Sequence, residues 1–156
     1  MKLFHISDIL SITTGRLVST RHMDGVYDIL NFLTGDSLFT HQLPRAVREC
    51  EPWLRTQFPQ LFGGDTITQE PVPAESMMVG LLAALDVRLR EAGGGDRTKT
   101  IAEWVEQVRT AHGLPEMLPV YEMGADMHTR IDPIEEAEAM VGKGRVIALE
   151  LDKGVA

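Results

Sequence analysis

Met23-Asp-Gly-Val-Tyr-Asp-Ile-Leu-Asn-Phe-Leu-Thr-Gly35 is the stretch on which the fold turns. Its apolar side chains Met23, Val26, Tyr27, Leu30 and Leu33 recur at helical spacing, and Gly35 supplies the left-handed residue that closes a helix. On its N-terminal side, Ser7-Asp-Ile-Leu-Ser-Ile-Thr-Thr-Gly15 predicts a shorter helix, with Ser7 accepting from orphan amides and Gly15 as the stop. On its C-terminal side a third helix is predicted from near Thr40. It carries Pro44 in its first turn, where a missing amide costs little, and runs through Val47 toward Cys50 and past Pro52 to Leu54, before Pro59 ends it.

Beyond this helical part, residues 63–73 (Gly-Gly-Asp-Thr-Ile-Thr-Gln-Glu-Pro-Val-Pro) lack any period and read as a linker. The next helix, about Ala74 to Ala92, is apolar on nearly every side between Met77 and Leu85, which predicts a central core helix enclosed by other elements. Gly93-Gly94-Gly95-Asp96 ends it as a turn, without the lysine and the strand context of a phosphate loop. Thr100-Ile-Ala-Glu103 has the pattern of a capping box, followed by the stripe Ile101, Trp104, Val105 and Val108. Leu118-Pro-Val-Tyr-Glu-Met123 reads as a strand that Pro119 confines to an edge, and Asp132-Pro-Ile-Glu135 starts a last helix that Gly142 stops. Arg145-Val-Ile-Ala-Leu-Glu-Leu151 has the strongest strand pattern, and Leu3 to Ile6 is a further strand candidate. The expectation is an α+β, predominantly helical single domain with a small C-terminal strand-helix-strand element, whose pairing is open between a parallel crossover and an antiparallel ladder. Its parts are a helical section over 1–62, the linker, and a core helix with the α/β section over about 74–156.

The chain has 156 residues, 44% hydrophobic and 24% charged, which is enough to bury a core without metal or disulfide staples. Cys50 is its single cysteine, so the expected compartment is reducing. Neither an apolar leader after Met1 nor a bilayer-length apolar run is present, so a cytoplasmic protein of a bacterial host is expected, without membrane contact. The net charge is −8, and the whole excess lies after residue 62: residues 1–62 carry six basic and six acidic side chains, residues 63–156 nine and seventeen. That balance disfavours phosphate contacts, so no direct nucleic-acid binding is expected. It suits a solubility charge or an acidic face for a basic partner.

The histidines His5, His22, His41, His112 and His128 show no i, i+4 pair and no suitably spaced cysteine, and no serine sits in a nucleophile elbow, so no metal, cofactor or catalytic residue is predicted. Cys50 stands between Glu49 and Glu51, which raise rather than lower a thiol's pKa, and reads as structural. The richest polar cluster is Arg16, Arg21, His22, Asp24, Asp28, Asn31, Asp36, His41 and Arg45. Asp24, Asp28 and Asn31 share one helical stripe. The plain reading is a solvated face with caps and surface ion pairs; the functional one is a patch where Arg16, Arg21, His22, Asp24, Asp28, Asn31, His41 and Arg45 meet a partner.

The stretch Ile6-Ser-Asp-Ile-Leu-Ser-Ile-Thr-Thr-Gly-Arg-Leu-Val-Ser19, continuing through His22 to Asp36 and Thr40-His-Gln-Leu-Pro-Arg-Ala46, resembles a family of small uncharacterised proteins encoded by tailed phages and prophages. Residues 132–142, with Arg145-Val-Ile147, look similar as well. The resemblance implies a genetic context and no residue roles. The function expected first is a non-catalytic phage or prophage accessory protein that binds a bacterial or phage protein, in the manner of an inhibitor of a host defence complex such as an anti-CRISPR. The alternatives are a small enzyme or ligand-binding protein using His22, Asp24, Asp28 and His41, and a virion morphogenesis or minor structural protein. Oligomeric state has no signature in the sequence.

Overall fold

In the computed structural model, which describes residues 1–62, 73–93 and 95–142, the chain is mostly helical with a small antiparallel sheet. The order is β1 (Lys2–His5), α1 (Ile6–Thr14), α2 (Met23–Thr34), a 3₁₀ turn (Thr40–Gln42), α3 (Leu43–Gln57), α4 (Pro59–Phe62), α5 (Pro73–Ala92), α6 (Arg97–Ala111), β2 (Met117–Val120), a 3₁₀ turn (Ala125–Met127) and α7 (Pro133–Val141). The α+β, predominantly helical class expected from the sequence is the one found. Its β part joins the start of the chain to the segment after α6: Lys2 faces Val120, Leu3 faces Pro119, Phe4 faces Leu118 and His5 faces Met117 in an antiparallel ladder. The predicted strand over 145–151, and with it the completion of a strand-helix-strand element, lies outside the described residues, as does the linker up to residue 72.

The centre of the molecule is α1, not α5. Every residue of α1 except Thr14 is buried, and α1 packs against β1, α2, α3 and α6. Ile6, Ile9, Leu10 and Ile12 meet Ile29, Leu30 and Leu33 of α2, Leu54 of α3 and Val108 of α6 in one apolar cluster. The α5 helix, expected to be enclosed, instead lies at the periphery against α4 and α6. Met78 and Leu85 are buried, while Met77, Val79 and Val87 are exposed, because Gly80, Ala83 and Ala84 on the outer side bring little apolar area to bury. Trp104 of α6 is fully buried and donates its Nε1–H to the Leu81 carbonyl at 2.7 Å, tying α6 to α5.

Several ends follow the sequence logic. Gly15 and Gly35 close α1 and α2 at φ of 68° and 67°, a backbone region costly for residues with a Cβ. Asp132 caps α7, its Oδ1 accepting the amides of Ile134 and Glu135, and Gly142 closes that helix. Two predicted caps are corrected. The α1 helix begins at Ile6, and the His5 ring, not Ser7, accepts the first orphan amide. The α6 helix begins three residues before Thr100, capped by Asp96, whose carboxylate accepts the Lys99 amide at 2.9 Å. Thr100 then sits inside the helix and Glu103 pairs with Arg88, so no capping box joins them.

Candidate functional site

The side chains with the most distinctive chemistry form two clamps. The first is built on Asp8. Its position on α1 turns it inward, where its side chain is 0% exposed. Ser19 Oγ donates to Asp8 Oδ1 and Arg21 Nη2 donates to Asp8 Oδ2, each at 2.5 Å, so both carboxylate oxygens are met. Arg21 reaches on with Nη1 to Asp28 Oδ2 at 3.1 Å, and Lys2 Nζ donates to the other oxygen, Asp28 Oδ1, at 2.7 Å. The hydrogen bond to Asp8 is the main cause that raises the Arg21 pKa. Burial pulls the Asp28 carboxyl upward, but the hydrogen bonds from Lys2 and Arg21 outweigh it and hold the group below its ordinary value. Beside this carboxylate, Ser11 Oγ accepts the amides of Val18 and Ser19 at 3.0 and 2.8 Å, and Ser7 Oγ accepts that of Thr20 at 3.2 Å. The loop between α1 and α2 is therefore fastened to the polar side of a buried helix.

The second clamp is built on His128, whose side chain is 2% exposed. Its Nδ1 lies 2.5 Å from Glu49 Oε2 of α3 and its Nε2 lies 3.0 Å from Asp36 Oδ2, just past the end of α2. The two ring nitrogens thus face one carboxylate each, and the ring bridges α3 to the residue that follows α2. Arg45 continues the chain: Nη1 donates to Glu49 Oε1 at 2.9 Å, while Nε and Nη2 donate to Glu136 Oε1 and Oε2 at 2.7 and 3.0 Å. Gln42 Nε2 donates to Glu136 Oε2 at 2.8 Å, and His41 Nε2 donates to the Pro133 carbonyl at 2.8 Å. Arg45 is pushed to a higher pKa, chiefly by its bond to Glu136, and the same bond lowers Glu136. The bond from His128 lowers Asp36; at Glu49 burial acts upward, but bonds from His128 and Arg45 prevail and lower it. This clamp pins residues 128–136 onto α2 and α3.

The sequence cluster is thus split. Arg21 and Asp28 belong to the first clamp, and His41, Arg45 and Asp36 to the second. Asn31 Oδ1 accepts the Leu38 amide, Arg16 pairs with Asp86 of α5 at 2.5 Å, and Asp24 is exposed with no bonded partner among the described residues. His22 lines a recess with Arg97 and Thr98 of α6. No hydrogen bond joins any two of His22, Asp24, Asp28 and His41: Asp28 is held by Lys2 and Arg21, and His41 by Pro133. Among the described residues, no group of His, Cys, Asp and Glu is arranged to hold a metal ion, and no helix is long and apolar enough to cross a membrane.

Sequence reasoning missed Lys2, Asp8, Ser19, Glu49, His128 and Glu136. One signal pointed toward Asp8: Gly25 interrupts an otherwise regular helix, and a helical glycine without a capping role marks a close approach. A Cβ at Gly25 would land 3.0 Å from Asp8 Cγ and closer still to Asp8 Oδ1 and Ser19 Oγ. No local signal announced His128, whose partners lie 79 and 92 residues away.

Outside the clamps, the sheet presents an apolar outer face. Phe4, Leu118 and Val120 point into the core, leaving Leu3, Met117 and Pro119 on the opposite side, next to the exposed Tyr121. Leu3 and Tyr121 are 54% and 57% exposed.

Residues 4–62 match a family described as a domain of unknown function (DUF7736). No curated protein and no solved structure matches the chain. The matched stretch contains α1 to α4 and the second half of β1, and so the Asp8, Asp36, Arg45 and Glu49 halves of the two clamps.

Proposed function

We propose that the chain is a non-catalytic phage or prophage accessory protein that acts in the cytoplasm of a bacterial host by binding a bacterial or phage protein, with inhibition of a host defence complex as the favoured form of that role. The observation that carries the reading is the apolar outer face of the β1–β2 ladder, with Leu3, Met117, Pro119 and Tyr121 open to solvent. A two-stranded sheet also has an unpaired edge on each strand, and among the described residues neither edge is covered by a third strand. Apolar surface beside strand edges that carry no third strand is the arrangement to which another chain adds a strand or packs a helix. The charged groups support the same reading, because Arg21, Asp28, His41 and Arg45 spend their hydrogen bonds on the chain's own loops and helices rather than converging on a substrate. The resemblance of residues 6–46 to phage and prophage proteins supplies the biological setting.

The test is affinity capture from bacterial lysate with the wild-type chain beside a Leu3→Asp/Met117→Asp variant. A partner retained in stoichiometric amount by the wild type and lost by the variant, with the circular dichroism of the two matching, is the expected result. No stoichiometric partner, or one retained equally by both, would overturn the proposal.

A further inference from the structure

A cleft between the 15–22 loop and the α5–α6 pair gathers positive charge in a chain whose net charge is −8. Three arginines line it from three elements: Arg16 after α1, Arg90 near the end of α5 and Arg97 at the start of α6. Asp86 is the single carboxylate in its lining, and its Oδ1 already accepts Arg16 Nη1 at 2.5 Å. Asp96 stands beside Arg97 in sequence, but its carboxylate caps α6 through the Lys99 amide. Arg90 donates Nε to the Asp86 carbonyl, a neutral acceptor, at 3.3 Å, and the Arg97 side chain has no partner among the described residues. Two guanidinium charges therefore share the cleft without a counter-ion, an arrangement that repels itself and attracts an anion.

The rest of the cleft is apolar. Leu17, Val18, Leu85, Leu89 and Ile101 form its walls, and its volume of about 700 Å³ lies within the range of small-molecule sites. An adjoining recess of about 280 Å³ shares Leu17, Arg97 and Ile101 and adds Thr20, His22 and Thr98. His22 holds φ at 56°, the one positive value at a non-glycine position among the described residues, and strained backbone of this kind concentrates at ligand sites. A bare inorganic anion would leave the apolar walls unused. A purely apolar ligand would leave the guanidinium groups uncompensated.

We propose that this cleft binds an organic phosphate of the nucleotide class, with its phosphates on Arg90 and Arg97 and its ring against Leu17, Leu89 and Ile101. Guanidinium forks match phosphate oxygens in pairs, and the aliphatic walls give a heterocycle apolar surface to pack against. The inference goes beyond the protein-binding role and uses residues on a different part of the surface, so either can fail alone.

The experiment is calorimetric titration of the full chain with ADP, inorganic phosphate and adenosine, repeated with an Arg90→Ala/Arg97→Ala variant. Both arginines are exposed and neither bridges to a carboxylate, so the variant keeps its fold, which its thermal unfolding verifies. ADP is expected to bind at least about tenfold more tightly than phosphate or adenosine, and at least about tenfold more weakly to the variant. Its affinity is expected to fall as ionic strength rises, with amide shifts in the wild type centred on Leu17, Arg97 and Ile101. Absence of saturable ADP binding at millimolar concentration, phosphate or adenosine binding as tightly as ADP, or an unchanged variant would each overturn the proposal.

Discussion

Gly25 of α2 lies against the buried carboxylate of Asp8, and the space a Cβ would need there is already filled by Asp8 and Ser19 Oγ. The approach lets the Asp8–Ser19–Arg21 bonds close beneath α2, and it gives the first expected outcome. Gly25→Ala forces the carboxylate away from its partners and should lower stability by about 3 kcal/mol or more, despite the better helix propensity of alanine. Urea unfolding of the two proteins checks it; a stabilised Gly25→Ala would show that the approach has slack.

Asp8 and Lys2 should differ sharply although both form ion pairs. Asp8→Ala leaves Arg21 and Ser19 without their buried acceptor and is expected to cost about 3 kcal/mol. Lys2→Ala removes one exposed donor from Asp28 and is expected to cost no more than about 0.5 kcal/mol. Equal unfolding midpoints for the two variants would contradict the burial contrast between their side chains, 0% exposed for Asp8 and 47% for Lys2.

His128 separates two carboxylates that would otherwise face one another. His128→Ala should destabilise the chain by about 3 kcal/mol. Its signature is local: amide exchange over residues 124–141 is expected to rise well before that of α1. Exchange that rises uniformly would mean that the clamp does not hold this segment as a separate unit.

Acid should loosen the same clamp. Asp36 is held below its ordinary 3.8 by His128, Glu136 below its ordinary 4.5 by Arg45, and Glu49 below 4.5 by bonds from His128 and Arg45 that outweigh burial. A carboxyl whose pKa is lower folded than unfolded binds fewer protons in the folded state. Its contribution is full above the unfolded value and is lost as pH falls through the folded one. The urea midpoint should therefore drop steadily from roughly pH 5 downward, and Glu136→Gln should flatten part of that drop. A midpoint level down to pH 3 would refute the assignment.

Cys50 is 0% exposed, and burial, aided by Glu49, pushes its thiol up to about 12. Its reaction with an aromatic disulfide reagent at neutral pH is expected to be slow in the folded chain and fast in urea. Rapid labelling without denaturant would show that α3 opens readily.

The local elements were legible because their signals are local. The stripe from Met23 to Leu33, the glycines at 15 and 35 and the Asp132-Pro133 start all act within one or two turns. A strand starting near Leu118 and one near Leu3 were legible too, though the first ends at Val120 rather than Met123 and their pairing was not read, since it closes a loop of more than 100 residues. The α5 helix misled because hydrophobicity counts residues rather than area: Gly80, Ala83 and Ala84 read as apolar yet leave an outer side with little to bury. Of the candidate site, Arg21, Asp28, His41 and Arg45 stood in the polar cluster read from the sequence, whereas the residues they or their clamps bond to, Asp8, Glu49, His128 and Glu136, did not. Each partner sits in a stretch whose own pattern is complete without it, and only tertiary approach brings it into place.

The strand that opens the fold and the acidic groups that hold His128 fall in or beside the stretch that matches the domain family, residues 4–62, while Met117–Val120, His128 and Glu136 lie beyond it. Cut out on its own, that stretch would carry a backbone edge without its partner strand, and Asp36 and Glu49 without the His128 ring between them. It is an unfinished unit. This chain supplies the missing strand and the bridging ring from residues 117–128, so its first 62 residues are completed only by what folds back onto them.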